Sequence, residues 1–132
     1  MSSPGSTGYA FNRTRQAYLA NHVTLAATHW SRFRGLMCTT PSEFRPGDGL
    51  WIVPCRGVHT FAMKFPIDVL YLDGRKCVVH VEENLRPWRM AKVSLKAASV
   101  LELPEGTLRS NPVAVGDEID ITMGQARRAT TA

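Results

Sequence analysis

The apolar run at residues 67–72 (I-D-V-L-Y-L) constrains the fold of this 132-residue chain more than any other feature. It ends at Asp73-Gly74, a dipeptide typical of tight turns, and a second apolar run follows at residues 77–81. Two such runs on either side of a turn predict a β-hairpin. A two-residue loop and a four-residue loop both fit the sequence. Since the two registers differ by an even number of residues, they place the same side chains on each face.

This hairpin places a carboxylate on the more apolar of its two faces. By alternation, Asp68 shares that face with Leu70, Leu72, Cys77, Val79 and Val81. A buried carboxylate requires a cation or several hydrogen-bond donors. The expected partners are Arg34, His59 and the backbone N–H groups that Pro66 frees by interrupting the strand.

The rest of the chain predicts a small β-dominated domain. Short apolar or β-branched runs predict further strands at residues 18–27, 50–53, 98–103 and 118–122. Trp30, Phe33 and Met37 form an apolar stripe that predicts a short helix at residues 29–38. We therefore expect an α+β, β-dominated fold: a small, strongly curved sheet or barrel-like single domain with two short helices. The expected boundaries are a flexible N-terminal arm (1–15), a globular domain (16–123) and a flexible C-terminal tail (124–132).

The formal charge of +5 comes mainly from the two ends of the chain, because residues 16–123 carry 12 basic and 11 acidic residues. We therefore expect no nucleic-acid partner. No run of about 18 apolar residues is present, and the N-terminal sequence lacks the apolar core of a secretory signal. These features predict a cytoplasmic protein without a membrane partner. Three cysteines without a C-x-x-C pair predict neither disulfides nor structural zinc.

Five side chains are the candidate ligand-binding residues: Arg34, His59, Thr60, Asp68 and Trp88. His59 and Asp68 are also the candidate catalytic residues, since a local bend would bring the imidazole and the carboxylate together for acid–base work. No nucleophile elbow, phosphate-binding glycine loop or dinucleotide fingerprint accompanies them. We therefore expect a non-catalytic binding or accessory module for a small anionic ligand or a partner segment, without a cofactor. An acid–base hydrolase or isomerase is the alternative.

A second alternative is soft-metal binding. Cys55, His59 and Met63 recur every four residues, and these residue types are ligands that copper prefers. Pro54 makes the backbone irregular here, however, so a shared face is not assured. We interpret the Cys and Met side chains as core residues and expect no metal.

Several motifs occur in a fixed order along residues 19–122. They are R-x-R-G-L-M at 32–37, G-L-W-I-V-P-C at 49–55, V-H-T-F-A-M-K-F-P-I-D-V-L-Y-L-D at 58–73, and then N-L-R-P-W, V-L-E-L-P-E-G and V-G-D-E-I. In this order they closely resemble the domain-of-unknown-function 192 family of small prokaryotic proteins. The resemblance implies a compact β-rich fold with short helices. It implies no established biochemical activity.

Overall fold

The computed structural model describes residues 7–26, 43–60 and 63–124. Its seven strands are β1 (Thr7–Asn12), β2 (Ala17–Ala26), β3 (Asp48–Ile52), β4 (Ile67–Leu72), β5 (Val78–Leu85), β6 (Ser99–Pro104) and β7 (Ile119–Met123). They form one sheet in the order β5-β4-β6-β3-β2-β1-β7. Neighbouring strands are antiparallel except for β2 and β3. The strands expected from the sequence are confirmed, and β1 is additional.

The sheet curls into a half-barrel, because its two edge strands meet at one end. The Val78 N–H at the start of β5 donates to the Asp117 carbonyl over 2.9 Å, and the Ile119 N–H of β7 donates to the Lys76 carbonyl over 3.0 Å. The expected strongly curved sheet is thereby confirmed.

Helix is scarcer than expected. The described residues contain one helix, α1 (Thr107–Ser110), instead of two. The expected helix at residues 29–38 lies outside the described residues. Within the described ranges, no helix has the length and apolar character needed to cross a membrane.

Strand β1 corrects the expected N-terminal boundary. Thr7–Asn12 pairs with β2 on one side and β7 on the other, so the flexible arm predicted for residues 1–15 is wrong for these six residues. The composition was misleading because small residues here serve close packing. A Cβ on Gly8 would lie 1.9 Å from the Thr122 carbonyl oxygen, so only glycine fits between the neighbouring strands.

The β4–β5 hairpin uses neither of the two expected loops. The Asp73 N–H donates to the Cys77 carbonyl over 2.9 Å, which leaves a three-residue loop. Its last residue, Lys76, has a φ of 65°, the left-handed conformation that such loops require. One consequence is that Leu72 pairs with Val78, so that Val78 replaces Val79 on the Leu72 face. The expected face assignment is therefore correct for Val81 and wrong for Val79.

Both faces of the sheet are buried, which explains why every residue of β4 is inaccessible to solvent. On the inner face, Leu70 and Leu72 pack with residues from β1, β2, β6 and β7 in what we call the inner cluster. On the outer face, Val69 and Tyr71 pack with Phe44, Met63 and Ala91 in what we call the outer cluster. The burial of Asp68 is confirmed, but it does not distinguish one face of β4 from the other.

Candidate functional site

The outer cluster is covered by two segments that pair with each other, residues 56–60 and 86–96, which we call the ribbon. The Ala91 N–H donates to the Val58 carbonyl and the Ser94 N–H donates to the Arg56 carbonyl, each over 2.9 Å. His59 and Met90 form an antiparallel bridge next to the Ala91–Val58 bond, on the side of Thr60. The two segments therefore form a two-stranded structure with its backbone held in place.

Thr60 clamps the start of the second segment. Its hydroxyl oxygen accepts the Arg89 N–H over 2.8 Å and donates to the Arg86 carbonyl. Its own N–H donates to the Arg89 carbonyl, and its carbonyl accepts the Trp88 N–H, each over 2.8 Å. Thr60 is fully buried, so these bonds are shielded from competing water. The role of Thr60 is thus to fix the backbone that presents Trp88.

The ribbon is also attached to the sheet beneath it. The Tyr71 hydroxyl on β4 donates to the Lys92 carbonyl. Burial is the main cause that raises the pKa of Tyr71 above its ordinary value, so the hydroxyl remains a donor at every physiological pH. A Cβ on Gly57 would lie 3.2 Å from the Lys92 carbonyl oxygen and 3.3 Å from the Val93 Cα. The two segments therefore approach as closely as a residue without a side chain permits.

The outward surface of the ribbon is unusually apolar. Trp88, Met90, Val93 and Leu95 are 67%, 73%, 61% and 83% exposed, respectively. They account for four of the seven exposed large hydrophobic side chains in the described residues, and they lie within eight positions of one another. Concentrated exposure of this kind is typical of interaction surfaces.

The same surface carries a one-sided charge. The two segments of the ribbon, residues 56–60 and 86–96, contain no Asp or Glu and five basic residues: Arg56, Arg86, Arg89, Lys92 and Lys96. Since the whole chain has 16 basic and 11 acidic residues, the remainder is close to neutral. Two segments that are distant in sequence thus combine into a positive surface, which counting charges along the chain did not reveal.

A shallow groove of about 340 Å³ lies where β5 meets the ribbon. Glu82 and Glu83 of β5 contribute acidic side chains to its lining, and Arg86 and Arg89 of the ribbon contribute basic ones. Leu85 and Met90 supply its apolar lining. The groove can therefore accept an apolar side chain next to a charged one.

Titratable side chains lie in two adjacent rows of the outer face, a feature that the sequence reading missed. Glu102 on β6 pairs with Val69 on β4, which pairs with Glu82 on β5. In the next row Tyr71 pairs with His80, whose Nε2 lies 3.0 Å from the Glu82 carboxylate. The sequence signal that could have revealed this group was Glu102, a glutamate within the apolar strand pattern V-L-E-L-P.

Glu102 is the buried member of this group. It is 4% exposed, and its Oε1 has no hydrogen-bond partner in the part of the chain that the structure describes. Burial raises its pKa to about 8. The carboxyl is therefore mostly protonated at neutral pH, and a neutral group is much less costly to bury than an anion.

Asp68 serves to join three elements. Its Oδ1 accepts the Asn84 N–H of β5 over 2.8 Å, and its Oδ2 accepts the Leu108 N–H of α1 over 2.9 Å. Asn84 adopts a φ of 58° and lies at an irregularity in the β4–β5 register. The partners are backbone amides, but they belong to β5 and α1 and are not the amides near Pro66 that were expected from the sequence.

Four of the five candidate ligand-binding residues lie in the described part of the chain, and the structure does not bring all four together. His59, Thr60 and Trp88 lie together on the ribbon over the outer face, whereas Asp68 lies on the inner face of β4. Arg34 lies outside the described residues. The ribbon therefore contains three of the candidates, and Asp68 lies apart from them.

The proposed soft-metal ligands have different environments. Met63 is buried in the outer cluster, His59 is exposed, and the half-buried Cys55 thiol donates to the Gly57 carbonyl over 2.9 Å. Among residues 7–26, 43–60 and 63–124, no group of three His, Cys, Asp or Glu side chains is placed to hold a metal ion.

Comparison with known proteins places the chain among uncharacterised proteins. The model of the DUF192 family, described as "uncharacterized ACR", matches residues 10–121. The UPF0127 protein of Thermococcus sibiricus is 32% identical over 123 residues, which cover 89% of this chain and 77% of the relative. The UPF0127 protein of Pyrococcus abyssi is 30% identical over 118 residues, which cover 86% of this chain and 97% of the relative.

Two solved structures share the fold. A putative transcription regulator from Sinorhizobium meliloti is 25% identical with a TM-score of 0.70, covering 86% of this chain and 90% of that one. A protein of unknown function from Novosphingobium aromaticivorans is 18% identical with a TM-score of 0.72, covering 86% and 83%.

Proposed function

The chain belongs to the DUF192 family, and we propose that it is a non-catalytic module that binds an anionic partner through the ribbon. One observation carries this proposal: five basic and no acidic residues occur in the two segments that pair to form the ribbon. A concentrated positive surface attracts anions and orients them before contact. Such a surface fits the anionic ligand or partner segment expected from the sequence.

The fixed backbone of the ribbon supports binding. The hydrogen bonds that Thr60 and Tyr71 make to its backbone are formed within the chain itself, before any binding partner is present. Association therefore does not have to order this segment, and less of the interaction energy is lost to conformational entropy.

An acid–base enzyme is supported less well. The Asp68 carboxylate already accepts two backbone amides, and it lies on the inner face while His59 lies on the ribbon. A general base has to reach its substrate directly or through one water molecule. Asp68 is fully buried in this position.

The name of the Sinorhizobium meliloti protein makes nucleic acid one anion to be tested. We propose to measure binding of a single-stranded oligonucleotide, poly-glutamate and phosphatidylglycerol vesicles to the wild type and to the variant Arg89→Gln/Lys92→Gln. The variant Arg75→Gln/Arg109→Gln removes the same charge elsewhere on the surface. We expect affinity for at least one polyanion to fall about tenfold in the ribbon variant and to change little in the control. Equal losses in both variants, or no binding of any polyanion, would contradict the proposal.

A further inference from the structure

We infer that the anionic partner is an acidic protein segment that carries at least two large apolar side chains. This inference rests on the proposed function and specifies the partner. It comes from the arrangement of the ribbon surface, where exposed apolar side chains alternate with basic ones. The apolar residues are at positions 88, 90, 93 and 95, and the basic residues are at positions 86, 89, 92 and 96.

The apolar side chains distinguish a protein from a nucleic acid. Trp88 could stack on a base, but Val93 and Leu95 have aliphatic side chains that nucleic acids do not complement. A protein segment can cover these side chains and place carboxylates beside the arginines. Trp, Met and Arg are also the residues enriched in protein–protein interfaces.

The acidic wall of the groove distinguishes a protein from a phosphate-rich surface. Glu82 and Glu83 line the same groove as Arg86 and Arg89. A dense array of phosphates, in a nucleic acid or an anionic membrane, would bring negative charge against these carboxylates. A peptide can avoid this repulsion by placing an apolar side chain over Leu85 and Met90, with its own carboxylate directed towards the arginines.

The test uses three synthetic twelve-residue peptides and the full chain. The first peptide alternates Glu or Asp with Leu or Phe, the second replaces the apolar residues by Ser, and the third replaces the acidic residues by Gln. Phosphatidylglycerol vesicles and a single-stranded oligonucleotide are measured in parallel at the same ionic strength. Isothermal calorimetry reports the affinity of each, and thermal unfolding checks that every variant is folded.

We expect the first peptide to bind at least about tenfold more tightly than the second and the third. We also expect Leu95→Ser/Val93→Ser to weaken this binding about tenfold, whereas Val115→Ser, which alters an exposed apolar residue outside the ribbon, leaves it unchanged. Tighter binding of vesicles or oligonucleotide than of the first peptide would overturn the inference and leave the proposed function intact. Equal affinity for the acidic-apolar peptide and the acidic-serine peptide would also overturn the inference and leave the proposed function intact. Failure of every anion to bind would overturn both.

Discussion

Replacing Glu102 by Gln should remove a group whose ionisation opposes folding. The carboxyl lies on the outer face between Leu50 and Val69, and one of its oxygens is buried without a hydrogen-bond partner in the described part of the chain. Burial raises its pKa from 4.5 to about 8. Since one pKa unit corresponds to about 1.4 kcal/mol, full ionisation of Glu102 destabilises the folded state by roughly 5 kcal/mol. This value is an upper limit, because relaxation and entry of water reduce it.

The sign of the pH dependence follows from proton binding. Below pH 4.5 Glu102 is protonated in both states, so it adds no pH dependence. Between pH 4.5 and about 8 only the folded state keeps the proton, so the free energy of unfolding falls by about 1.4 kcal/mol per pH unit. Above that range both states are ionised and the loss is complete. Wild-type stability should therefore decrease from pH 5 to pH 8.

Urea unfolding of the wild type and Glu102→Gln at pH 5, 6, 7 and 8 measures this dependence. The two proteins should be similar at pH 5, within the roughly 1–3 kcal/mol that an unpaired buried amide costs. The variant should become the more stable protein as the pH rises. Glu102→Met is a second control, since it retains a side chain of similar length without a polar atom.

Asp117 does not contribute to the pH dependence of stability between pH 5 and 8. Burial alone would raise the pKa of Asp117, but hydrogen bonds from Asn12, Arg15 and Ala114 outweigh it and lower the pKa below 3.8. Its stabilising contribution is therefore lost only as the pH falls through that lower range. If the wild type and Glu102→Gln show the same slope between pH 5 and 8, Glu102 is not the buried acid described here.

Three further predictions concern the scaffold. Asp68→Asn should lower the free energy of unfolding by roughly 1–3 kcal/mol and Asp68→Ala by at least as much, because two buried amides lose a charged acceptor; urea unfolding that shows no change would contradict this role. Gly57→Ala should force the ribbon segments apart and speed amide exchange around Thr60, whereas Gly74→Ala, whose Cβ would meet nothing within 4 Å, should not. Deleting residues 1–12 should abolish cooperative thermal unfolding, because it removes β1 from between two strands; an unchanged melting temperature would show that β1 is dispensable.

The sequence determined the elements whose local pattern is unambiguous. Ile67–Leu72 is a strand with the bounds expected from its apolar run, and Asp68 within it is buried as expected. Proline and glycine residues at the ends of the other expected strands located those strands to within a few residues. These features depend on neighbours along the chain, and a sequence displays such neighbours directly.

Tertiary structure decided the features that depend on what lies opposite a residue. The left-handed residues Lys76 and Asn84 set the register of the β4–β5 hairpin, and neither is a glycine that would have marked the position. Strand β1 was hidden because Gly8 suits the close approach of β7 as well as it suits a flexible arm.

For the candidate site too, the sequence determined some features and the tertiary structure decided others. His59, Thr60 and Trp88 were candidates from the sequence, and all three belong to the ribbon. The positive charge becomes concentrated when residues 56–60 pair with residues 86–96, and Glu102 is buried where β6 lies between Leu50 of β3 and Val69 of β4. Charge density and desolvation depend on distances in space, and long-range pairing sets those distances.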